Sequence, residues 1–322
     1  MAQTTEITTL YKALLGRAPD ANALQANAEH DLVTVAQRIV GSQEFRQRYN
    51  ATAAASLRPQ GLPNLRPLPD ERLVYLHIPK CGGTTLHHLM TQWYGAENFH
   101  PERYNQLYLY SAADLVGYQV FSGHFDFYAT RLIPGRKRMI SFLRDPLQRL
   151  MSLYHFHRAH RSELIERQNL TLVRWATEMD IDAYFADERV RSHPAVHNSI
   201  TRHFSNVPQI AHLWKGRPDP RLERLELIYD QASKNLQRFD FIGFMDDYDG
   251  SVARLAKRLG KPGVEQIERK QSLDSLMQEN PGMRRIEKQT PSAATLAQME
   301  DLITYDRRLY DKARQIFAPP ES

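Results

Sequence analysis

Cysteine is nearly absent: Cys81 is the only one among 322 residues. An internal disulfide is therefore excluded, and a reducing compartment suits the chain. Long apolar runs are missing as well, and no stretch reaches the roughly 20 residues of a bilayer-spanning helix. The N-terminus is polar, carries Glu6 and lacks the apolar centre of a secretory signal. There is no long-period repeat and no extended low-complexity tract. No Gly-Lys-Ser/Thr occurs anywhere, so a Walker phosphate loop is absent. Neither sign of charge dominates: 42 Lys and Arg stand against 37 Asp and Glu, for a net charge of +5. That small excess suits an anionic ligand. The basic residues are scattered and match no nucleic-acid motif, which argues against a nucleic-acid partner.

What is present centres on Leu73 to Met90. The apolar run Leu73 to Ile78 predicts a buried strand, and Pro79, which has no N–H to give, ends it. Gly82 and Gly83 permit a tight turn. From Thr84 and Thr85 onward, Leu86, Leu89, Met90 and Trp93 fall at helical spacing. A strand, a small-residue loop and a helix together bind anions, because the free N–H groups of the helix's first turn point into the loop. Lys80 adds a mobile cation, and the two threonine hydroxyls add donors. A phosphate-bearing ligand is the expected guest. Gly-Gly-Thr alone would fit an ordinary strand-to-helix turn; Lys80 and the paired threonines are what point to an anion.

The rest of the chain divides by composition. Residues 1–55 carry apolar stripes at Leu10, Tyr11, Leu14 and Leu15, then at Leu32, Val33, Ala36, Ile39 and Val40, and read as a small all-helical domain. Residues 56–70, rich in Pro, Leu and Arg, read as a linker. From 71 to 322, strand and helix patterns alternate, which predicts an α/β domain. Within it, Gly117 to Phe127 reads as a strand ending in a glycine turn, with His124 just beyond. Arg138 to Arg144 reads as another strand, and Asp145-Pro146 caps the helix that follows. Phe239 to Phe244 is a short apolar strand, and Leu296 to Phe317 a closing helix. Of His155, His157 and His160 only the last two share a helical face, and no acidic or thiol partner has ligand spacing, so no metal is expected.

Three stretches carry a family resemblance. His-Ile-Pro-Lys-Cys-Gly-Gly-Thr-Thr-Leu, residues 77–86, resembles the 5′-phosphosulfate loop of sulfotransferases that use 3′-phosphoadenosine 5′-phosphosulfate (PAPS). It looks most like the heparan sulfate 2-O-sulfotransferase branch and its bacterial relatives. Gly-His-Phe-x-Phe, residues 123–127, resembles the position of that branch's general-base histidine. Relatives often have histidines on both sides of the glycine; here the first is Ser122, which leaves His124 as the candidate. Arg-Asp-Pro-x-x-Arg-x-x-Ser-x-Tyr, residues 144–154, resembles the segment that holds the 3′-phosphate. Two weaker likenesses are Asn-x-x-Thr-Arg at 198–202 and a Lys-x-Thr-like loop at Lys288 to Thr290. Residues 1–55 resemble a small bacterial helical domain of unknown function.

The resemblance implies a three-layer P-loop-like α/β fold with a central parallel sheet, and transfer of a sulfuryl group from PAPS to a hydroxyl by in-line displacement, with PAP as product and no metal. Lys80, Cys81, Gly82, Gly83, Thr84 and Thr85 would hold the 5′-phosphosulfate, with Lys80 neutralising the leaving oxygens. Arg144 and Ser152 would hold the 3′-phosphate, and Lys288 and Thr290 would close on the nucleotide. His124 would take the acceptor proton, a task suited to a group titrating near neutrality. Asp126 is a candidate to orient its ring. Asn198 and Arg202 would reach the acceptor or sulfate. A glycan acceptor is expected, with a tyrosine in a peptide or a lipid-linked sugar as alternatives. A nucleotide-dependent kinase or a non-catalytic binding module are the competing classes. With no apolar run long enough to be the membrane anchor that its animal relatives carry, the chain is expected to be a cytoplasmic, bacterial enzyme.

Overall fold

The computed structural model describes residues 3–15, 17–42, 44–45, 69–168, 170–208, 224–263 and 280–319. They form two compact units. The first holds α1 (Thr4–Leu15), α2 (Ala21–Asn27) and α3 (Leu32–Gly41). Asp20 and Asp31 cap α2 and α3 by accepting the N–H groups of Ala23 and Thr34, which satisfies donors that a helix start otherwise leaves open. Ile7, Tyr11, Leu15, Val35, Ile39 and Phe45 form the core of this unit. Of the expected linker, only Pro69 and Asp70 lie among the described residues.

The second unit is built on four parallel strands: β1 (Glu71–Leu76), β2 (Val120–Gly123), β3 (Arg136–Leu143) and β4 (Phe241–Phe244), in the order β2-β1-β3-β4. β1 lies two residues earlier than its apolar run suggests. Glu71 pairs with Arg136 in the ladder and its carboxylate meets both Arg136 and Arg138, so a charged residue is held in a strand that the apolar pattern excluded.

Helices cover the sheet. They include α4 (Gly83–Tyr94), α5 (Pro146–Arg158), α6 (Ser199–Phe204), α7 (Leu225–Leu236), α8 (Tyr248–Arg258), α9 (Ala293–Leu302) and α10 (Thr304–Phe317). On one face Leu86, Leu89 and Met90 of α4 and Val252 and Leu255 of α8 pack on Leu73, Tyr75, Ile140 and Phe142. Side chains alternate along a strand, and Phe244 of β4 meets Tyr310 of α10. No helix of the described residues is long and apolar enough to cross a membrane.

The closing helix expected over 296–317 is two helices, broken at Ile303. The cause lies about a hundred residues away in sequence. The Asn198 N–H donates to the Leu302 carbonyl, and its side-chain oxygen accepts from the N–H groups of Tyr305 and Asp306. One asparagine thus takes groups that a continuous helix would have bonded internally.

Candidate functional site

The strand order fixes where a ligand can sit. The chain leaves β1 to one side for β2 and later crosses to the other for β3, so a crevice opens at the carboxyl end of β1. The segment 77–83 fills its floor. Lys80 has φ of 70° and Gly82 φ of 71°, both in the left-handed region; for a lysine this is costly and found mainly at functional sites. Gly82 has no room for a side chain: a Cβ would stand 2.5 Å from Met245 Sδ, and its carbonyl accepts from Tyr248 Oη. α4 starts at Gly83, with no side-chain cap bonding its first turn. Thr85 is buried at that end, and Thr84 is half-buried. Cys81 is fully buried, and burial raises its thiol to about 11, so its part in the loop is to pack rather than to react.

Two cations flank this loop. Lys80 is half-buried, with Nζ 3.7 Å from the centre of the Phe156 ring. Burial, then the charge of Arg144, lowers it to about 8. Arg144 is half-buried where β3 gives way to α5. Neither the Lys80 ammonium nor the Arg144 guanidinium makes a hydrogen bond or ion pair with another described side chain. Asp145 caps α5 by accepting the Gln148 N–H and pairs with Arg307, so the nearest carboxylate in sequence is engaged with another partner. Ser152 lies half-buried on α5.

The histidine expected as a base stands across from the loop. Residues 76 and 123 are ladder partners, and their successors His77 and His124 lie side by side with ring centres 4.2 Å apart. His124 Nδ1 is 2.8 Å from the His77 carbonyl; since a carbonyl only accepts, Nδ1 carries the proton and Nε2 offers a lone pair. Nε2 has no partner among the described residues. Burial is the main reason that the ring titrates at about 4, so it is neutral at pH 7. The expectation that Asp126 orients this ring is corrected: the orienting bond comes from the His77 backbone. The Asp126 carboxylate accepts instead from Asn105 Nδ2 and the Ala129 N–H.

Lys288 and Thr290 are exposed. Between them Gln289 ties the late loop to α5: its side-chain oxygen accepts from Tyr154 Oη and its backbone N–H donates to His155 Nε2. The sequence assigned Gln289 nothing. Asn198 and Arg202 are not brought to the crevice as free polar groups. Asn198 is buried and its oxygen caps α10, while Arg202 Nε donates to the His197 carbonyl. Both side chains thus brace neighbouring backbone.

Two further features were not evident from the sequence. Arg149, on α5, is wholly buried, donates to the Ala195 carbonyl and is balanced by Asp306. His87 and Ser122 share a 2.9 Å bond, with Arg103 against both. Only the Arg-x-x-Ser spacing hinted at Arg149; nothing local marks the His87–Ser122–Arg103 group. Among the described residues no group of three or more His, Cys, Asp or Glu side chains is arranged to hold a metal ion.

Residues 64–313 match the model of the Sulfotransferase family. No curated protein matches the chain.

Proposed function

The chain belongs to the sulfotransferase family, and from that premise we propose that it carries the sulfuryl group of PAPS to a hydroxyl of a carbohydrate. The observation that carries this reading is a neutral imidazole, open at Nε2, set across from a glycine loop whose two cationic groups make no hydrogen bond or ion pair with another side chain among the described residues. The N–H groups at the start of α4 hold the 5′-phosphate. Lys80 moves off the Phe156 ring to the leaving oxygens as charge builds there. Arg144, a planar fork suited to phosphate, holds the 3′-phosphate with Ser152, and Lys288 and Thr290 close over the nucleotide. His124 Nε2 takes the acceptor proton as the hydroxyl oxygen bonds to sulfur and the sulfur–phosphate oxygen bond breaks. The carbohydrate acceptor rests on the likeness of residues 77–86 and 123–127 to the heparan sulfate branch.

Calorimetric titration with PAP, beside ATP, tests the nucleotide part. PAP should bind tightly and ATP weakly. Arg144→Ala should weaken PAP by about 10- to 100-fold, the loss expected for a charge-assisted contact. Equal binding of PAP and ATP, or equal PAP affinity in Arg144→Ala and wild type, would sink the assignment.

A further inference from the structure

His77 carries the loop's least explained side chain. It sits at the end of β1, where its N–H donates to the Gly123 carbonyl. The ring is 6% exposed and lies between Tyr75 and His124, with centres 5.3 and 4.2 Å away. Its Nδ1 is buried without a hydrogen-bond partner among the described residues. Its Nε2 abuts Gly83, where a Cβ would lie 1.9 Å from that nitrogen. An almost wholly buried imidazole is therefore aimed at the first residue of α4, where helix N–H groups open into the loop.

The protonation state follows from the surroundings. Burial, then the charges of His124, Arg103 and Lys80, hold His77 well below the ordinary histidine range, so the ring is neutral and carries one proton. On Nδ1 that proton would be a buried donor with nothing to meet, an expensive arrangement. On Nε2 it faces the loop. A neutral imidazole at a helix N-terminus can donate a hydrogen bond to developing negative charge without adding a cation.

We propose that His77 is a second imidazole of the transfer site, its Nε2–H donating to an oxygen of the sulfuryl group in transit. The inference rests on the PAPS reading above. The ring spans the interval from Gly83, at the loop, to His124, at the base, and the sulfuryl group must cross that same interval. β2 offers no second imidazole, because Ser122 stands beside the glycine and is bonded to His87; β1 supplies it instead. His77 keeps its proton throughout, and the acceptor proton goes to His124.

PAP lacks the sulfuryl group, so PAP and PAPS separate this role from loop packing. Calorimetry should give His77→Ala a PAP affinity near wild type and a PAPS affinity about 3- to 10-fold weaker, the range for one neutral hydrogen bond. His77→Gln, which keeps an N–H of similar reach, should recover part of that loss. In wild type, nitrogen-15 NMR should find His77 neutral and protonated on Nε2 at pH 7, with that resonance moved by PAPS more than by PAP. The last measurement needs no variant to fold. Equal PAPS affinity in His77→Ala, an equal loss for both nucleotides, or a proton on Nδ1 overturns the proposal alone. A wild type that binds neither nucleotide overturns the PAPS reading and this inference together.

Discussion

Lys80 makes the proposed nucleotide site measurable through protons. Burial and the neighbouring Arg144 lower its ammonium to about 8 in the free protein, so at pH 8 about half of the molecules carry a neutral lysine. A polyanion beside it favours the charged form and raises the value again. If it returns to the ordinary 10.5, binding takes up about 0.1 proton at pH 7, about 0.5 at pH 8 and about 0.9 at pH 9. The sign is fixed: affinity is full below the free-state value and falls as pH rises through it, by about tenfold between pH 7 and pH 9. The nucleotide's phosphates, with a second pKa of about 6, add nothing above pH 8. Calorimetry with PAP in buffers of different ionisation enthalpy reads the uptake directly, as the slope of apparent enthalpy against that ionisation enthalpy. Lys80→Arg, charged at every pH used, supplies the control and should flatten the slope. A wild-type slope near zero at pH 8 and 9, or one that survives in Lys80→Arg, would refute the reasoning.

Two other outcomes follow from the packing. Gly83→Ala puts a methyl group 1.9 Å from His77 Nε2 at a helix start pinned by the sheet; overpacking of this kind should cost about 1–3 kcal/mol. Urea denaturation checks it, and an unchanged midpoint would mean that the His77 ring moves aside freely. Acid should unfold the protein early. Burial lowers His100, His124 and His203 to about 4 and His157 to about 3, from an ordinary 6.5. Between those values the folded rings are neutral while the unfolded ones bind protons, so stability present above the ordinary value is lost as pH falls toward 4. Each ring contributes about 1.4 kcal/mol per pH unit in that window. Urea midpoints should be level from pH 7 to 8 and fall steeply below 6; a level profile down to pH 4.5 would contradict the buried, neutral assignment.

The parts of this molecule that were legible from its sequence are those written in local spacing. The apolar run before Pro79, the glycines after it and the helical stripe from Leu86 place a loop at a helix start, and Asp145-Pro146 announces α5. What stayed hidden depends on neighbours far along the chain. The break at Ile303 is made by Asn198, and the anchoring of the late loop by Tyr154 and His155 through Gln289. The pairing of His77 with His124 is the clearest instance. Neither histidine shows a companion in its own segment, and Asp126 looked the better partner for His124. Parallel pairing of β1 with β2 at Leu76 and Gly123 brings positions 77 and 124 together. A slip of one residue would turn every β2 side chain to the other face and present Phe125 in place of His124. Register, set by the buried faces of Leu73, Tyr75 and Val120, thus decides whether the His124 imidazole stands beside the loop at all. The Gly-His-Phe wording names a histidine; the sheet determines that it has a second imidazole beside it and a carbonyl to hold its proton.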